Sequence, residues 1–94
     1  MFFRVVRFTG VTEERFNAVV DRVQDSDGPP PGVEATGLKL LFDAGAGTAV
    51  VLQEFATAEA MEAAAKIFDA MEPGDTPGTR ASVDACEVKL DITP

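Results

Sequence analysis

The run Phe2-Phe3-Arg4-Val5-Val6-Arg7-Phe8 sets two arginines into an otherwise apolar stretch. In a strand, positions 4 and 7 point to opposite faces, so at least one guanidinium must meet a covered face. A buried guanidinium needs a carboxylate or a bidentate anion. Glu54 or Asp84 on neighbouring strands is the expected carboxylate, and an anionic ligand is the alternative. Asn17 stands beside an apolar helical stripe, where its amide either orients a ligand carbonyl or faces water. Cys86 is the sole cysteine. It is expected as a small core residue, because no cationic neighbour in sequence favours a thiolate.

No histidine occurs in the chain. Ser-His-Asp and Cys-His centres are thereby excluded, and the commonest metal ligand and general base are missing. Gly45-Ala46-Gly47 lacks the third glycine and the following helix of a nucleotide loop, so it reads as a turn. Asp25-Ser26-Asp27-Gly28 has a fragment of calcium-loop spacing without the downstream glutamate, and reads as a solvated loop. No metal and no cofactor is expected.

The elements that must hold these residues follow from periodicity and breakers. Residues 2–8 read as a strand with both faces mostly apolar, broken at Gly10. Thr12 is a good N-cap, and Phe16, Val19, Val20 and Val23 form one helical stripe over residues 13–24. Residues 25–32, with three consecutive prolines, form a stiff connector. Residues 35–43 are a second strand, with Leu38, Leu40 and Phe42 on one face and Lys39, Leu41 and Asp43 on the other. A glycine-containing hairpin leads into a third strand over 48–55. Thr57 caps a second helix whose buried stripe is Met61, Ala64, Ala65, Phe68 and Met71, ended by Pro73-Gly74. A second loop covers 75–80. Residues 82–92 are the last strand, with Cys86, Val88, Leu90 and Ile92 on one face and Val83, Ala85, Glu87 and Lys89 on the other.

A chain of 94 residues makes a single domain, here spanning 1–94. Its net charge of −8 disfavours nucleic acid and anionic membrane as partners, both of which require a basic footprint. The start Met1-Phe2-Phe3-Arg4 is too short and too early charged for a signal peptide, and no apolar run reaches the roughly 20 residues of a membrane span. A cytoplasmic location is expected.

The order βαββαβ, with right-handed crossovers, predicts an α+β, ferredoxin-like fold. Its four-stranded antiparallel sheet carries both helices on one face, with strands one and three central. The other sheet face would carry Leu41, Val83 and Ala85 from the edge strands. Such a face spans roughly 400 Å², near the largest apolar patch of a soluble monomer. A homodimer through sheet faces is expected; a monomer with an apolar surface is the alternative.

The stretch from Pro31-Gly32 through the hairpin Asp43-Ala-Gly-Ala-Gly47 to Phe55 and the acidic-alanine helix start Ala58-Glu59-Ala60-Met61 resembles the dimeric α+β barrel superfamily. More narrowly, it resembles the antibiotic-biosynthesis-monooxygenase-like proteins. The resemblance implies two sheets closing into a barrel, and a pocket between each sheet and its own helices. Candidate ligand-binding residues are then Arg4, Arg7, Asn17 and Phe55. Oxygenating and haem-degrading members lean on Asn, Trp and His. This chain has neither Trp nor His, and Phe55 stands where a tryptophan is common. Three functions remain open: a domain binding a small apolar or aromatic molecule, a cofactor-free monooxygenase or isomerase acting on an aromatic polyketide-like substrate, and a structural or regulatory dimer without ligand.

Overall fold

A computed structural model describes residues 1–70 and 77–93. The elements are β1 (Phe2–Thr9), α1 (Glu13–Asp25), β2 (Gly37–Asp43), β3 (Thr48–Phe55), α2 (Ala58–Ala70) and β4 (Thr79–Glu87). The strands form one antiparallel sheet in the order β2-β3-β1-β4, the ferredoxin-like arrangement. Met71 and the Pro73-Gly74 helix stop lie outside the described residues.

Local chemistry starts both helices. The Thr12 hydroxyl accepts the Arg15 amide at 3.2 Å, and the Thr57 hydroxyl accepts the Ala60 amide at 3.1 Å. Each cap satisfies an amide that the first turn cannot. At the hairpin, the Gly47 amide donates to the Asp43 carbonyl and the Ala46 amide to the Asp43 carboxylate. Gly47 holds a φ of 66°, a conformation that strains other residues.

The pleat sorts β1 by parity. Arg4, Val6 and Phe8 are buried under the helices, whereas Phe3, Val5 and Arg7 face the open side. Two apolar clusters form on the helix side. One joins Val6, Phe8, Val11 and Ala49 to Phe16 of α1 and Phe42 of β2, whose rings stack with centroids 4.7 Å apart. The other joins Val33, Phe55, Met61 and Ala64, with Phe2, Ile67 and Phe68 against it. Val33 arrives from the proline-rich connector, anchored by its amide to the Pro30 carbonyl at 3.0 Å.

Four expectations are corrected. The stripe of α1 is not sunk into the core: none of its residues is buried, and Val23 is 36% exposed. Phe16 alone of the stripe is packed against a buried cluster.

The last strand ends at Glu87, not at residue 92. Glu87 pairs with Phe2, the first residue of β1, and the Val88 amide donates to the Met1 carbonyl. Leu90 and Ile92 lie beyond the sheet, 76% and 74% exposed.

The faces of β4 are reversed. Val83 and Ala85 pair with Val6 and Arg4 on the helix side, while Ser82, Asp84 and Cys86 stand on the open side. Cys86 is consequently exposed rather than a core residue. α2 packs over β1 and β3, and every residue of β4 is left exposed.

The fourth correction concerns the arginine partner. Glu54 and Asp84 lie opposite Phe3 and Val5, across the sheet from the buried Arg4.

Gly78 lets β4 begin close against the end of β1. A Cβ there would stand 2.3 Å from the Thr9 carbonyl oxygen and 3.0 Å from Val11 Cγ2. Neither backbone can retreat without loosening the first core cluster. Gly78→Ala is therefore expected to lower stability by about 1–3 kcal/mol, read as a fall in the urea midpoint at constant slope. An unchanged midpoint would contradict so close an approach.

Candidate functional site

Arg4 is the buried charge among the described residues, with 5% of its surface exposed. Strand parity drives it under the helices, and β3 places Gln53 directly beside it. Its Nη1 donates to the Gln53 side-chain oxygen at 3.1 Å. The guanidinium lies 5.0 Å from the centroid of the Phe68 ring on α2, a cation–π contact.

Charge compensation is thin. Nη2 is 4.0 Å from an Asp69 carboxylate oxygen, beyond hydrogen-bond length. The same oxygen lies 3.8 Å from Arg80 Nη1, and the Asp69 side chain is 65% exposed. Two guanidinium groups thus share one largely solvated carboxylate. Arg4 Nε is buried and has no hydrogen-bond partner. Burial pulls the Arg4 pKa below its ordinary value; Asp69 opposes this and Arg80 adds to it. Arginine nevertheless stays protonated in ordinary conditions, so among the described residues the cluster holds a surplus positive charge.

The open face of the sheet forms a second region. Across its centre run three rows: Glu54, Phe3 and Cys86; Lys39, Leu52, Val5 and Asp84; Leu41, Val50, Arg7 and Ser82. The two cations and the two carboxylates among these residues cancel, in a chain of net charge −8. Apolar side chains fill the middle, and Leu41 is 48% exposed. Toward the hairpin, Arg7, Leu41, Asp43, Thr48 and Val50 line a solvent-open recess of about 360 Å³.

The candidate residues divide between these regions. Arg4 and Phe55 lie on the helix side, in adjacent rows of the sheet, and Phe55 is fully buried in the second cluster. Arg7 is exposed on the opposite face. Asn17 is exposed on α1. Gln53, Phe68, Asp69 and Arg80, which complete the Arg4 cluster, were not singled out by sequence reasoning. A two-residue parity carried along β3 from the buried Phe55 would have found Gln53. No comparable signal marks Asp69, which comes from a separate helix.

Among the described residues no helix is long and apolar enough to cross a membrane. No group of three His, Cys, Asp or Glu there could hold a metal ion. Among protein-family models, curated proteins and solved structures, none matches the chain.

Proposed function

We propose that this domain works as a homodimer whose two open sheet faces pack together, each copy keeping a small apolar or aromatic molecule between its own sheet and helices. The observation that carries the dimer is the composition of the open face. Its three central rows are apolar in their middle and balance two cations against two carboxylates, although the chain as a whole is strongly acidic. The excess of acidic residues therefore lies outside those rows.

The face is also self-complementary. A two-fold axis parallel to the strands sets β2 over β4 of the second copy and β3 over its β1. Lys39 then stands over Asp84 of the second copy, and Leu52 over its Val5, because each pair shares one row of the sheet. The planar face alone is about 400 Å² per copy, below the roughly 800 Å² per partner of a standard interface. Outside the sheet, Leu90 and Ile92 are exposed apolar residues that follow β4.

The ligand half of the reading is supported by the incomplete seal of the helix layer. The core is split into two clusters, α1 buries no residue, and Leu38 on the helix side of β2 is 45% exposed. The antibiotic-biosynthesis-monooxygenase-like resemblance fits the same reading through its element order.

Charge reversal tests the arrangement. Lys39→Asp and Asp84→Lys are each expected to weaken self-association several-fold, and the double variant to recover it, by sedimentation velocity at low salt. No recovery in the double variant would remove the proposed axis. The neutral dye N-phenyl-1-naphthylamine tests the ligand half. It should bind saturably, about one per chain, with a blue-shifted emission; a linear, unsaturable response would sink that half.

A further inference from the structure

Resting on the ligand half of that reading, we infer that Arg4 is the anion-recognition group of the site, and that the ligand is a small apolar or aromatic carboxylate. The guanidinium offers its donors in a fixed planar fork. Nη1 is taken by Gln53. The remaining edge, Nε with Nη2, is the one that grips a carboxylate with two parallel hydrogen bonds. On that edge Nε is buried without a partner, and Asp69 stops 4.0 Å short of Nη2. A buried donor left unmade is costly, so an acceptor delivered to this edge recovers that loss.

Charge points the same way. Among the described residues, Arg4 and Arg80 together exceed Asp69 by one positive charge, inside an acidic molecule. Arg80, half exposed, stands at the solvent side of the cluster, where it meets an entering anion first. The Phe68 ring and the second apolar cluster supply the apolar surroundings for the body of the ligand. Gln53, neutral and already engaged, fixes the fork without competing for the carboxylate. Asp69 does compete, since it repels any anion that approaches the same edge.

The probes are benzoate and its neutral counterpart benzamide, titrated into the full chain while the Arg4 Nε–Hε resonance is followed by NMR. Benzoate should bind more tightly than benzamide and move that resonance. Arg4→Gln should weaken benzoate about tenfold or more, the loss expected of a charge-assisted pair. Lys66→Gln, which removes a cation from α2 outside the cluster, should leave it unchanged. Asp69→Asn should tighten benzoate, a response that a purely structural ion pair would not give. If Arg4→Gln does not fold, Asp69→Asn and the wild-type resonance still decide the matter. Equal affinity for benzoate and benzamide would overturn the anion assignment and leave an apolar ligand site standing. Benzoate affinity that survives Arg4→Gln would overturn it as well. Absence of binding by both probes and by the neutral dye would remove the ligand reading itself.

Discussion

Replacing Phe55 by alanine is expected to lower the free energy of unfolding by about 3–5 kcal/mol, the largest loss at any single position considered. Phe55 is the largest side chain that is fully buried, with no surface exposed. It sits where the second cluster brings β3, α2 and the proline-rich connector together, against Met61, Ala64 and Val33. Truncation removes the transfer energy of the ring and leaves a cavity that three separate segments would have to close. Small domains carry roughly 5–15 kcal/mol in total, so the variant would stand near the edge of folding. α1 offers little compensation, because it buries no residue of its own. Leu90→Ala is the contrast: Leu90 is 76% exposed, and its loss should change the stability of the chain by less than about 0.5 kcal/mol. Urea unfolding of the two variants measures both. A loss below about 1 kcal/mol for Phe55→Ala would mean that the second cluster does not organise the fold.

The second large effect is expected on assembly. Leu52→Glu places a carboxylate in the apolar middle of the open face, directly beside Val5 on β1 and next to Lys39 on β2. In an isolated chain the new side chain reaches solvent, since the open face has no helix over it, and the cost to folding is small. In a face-to-face dimer it is trapped opposite Val5 of the second copy. Burying a carboxylate there costs several kcal/mol, and its cationic neighbour, Lys39, is drawn away from Asp84 of the second copy, so self-association should fall by at least about a hundredfold. Sedimentation equilibrium separates the two energies, because the urea midpoint of the dissociated chain should hardly move while the association constant collapses. Unchanged association would place the contact between copies elsewhere.

Much of this was legible from residue types alone, and the failures share a cause. Element order, both threonine caps and the hairpin follow from local chemistry, and the structure has them at Thr12, Thr57 and Asp43–Gly47. The parity of β2 is equally local: Leu38, Leu40 and Phe42 fall on the side of the buried rows. Long-range pairing is what a residue pattern does not carry. In β4, the apolar alternation continues through Val88, Leu90 and Ile92, but the strand ends at Glu87, paired with Phe2 at the start of β1. The register also shifts between Arg7 and Phe8, which Cys86 and Val83 cannot reveal from their own neighbours. Val33, between the connector and the second strand, belongs to no periodic element and is core, since tertiary packing rather than periodicity buries it.

The candidate site follows the same division. That one of Arg4 and Arg7 must enter a covered face was forced by strand geometry. Which one does so depends on the side that the helices take, and here it is Arg4. The partner expected for it lay on strands, at Glu54 or Asp84; the nearest carboxylate among the described residues instead comes from α2, at Asp69. A helix residue meets a strand residue only through crossing geometry, for which spacing along the chain has no signature.

The mass of the chain in dilute solution tests the central claim most directly. Light scattering on the wild-type chain at about ten micromolar should return twice the 9.9 kDa of one copy, with Leu52→Glu returning a single copy under the same conditions. A wild-type mass of 9.9 kDa, unchanged up to the highest soluble concentration, would contradict the face-to-face dimer.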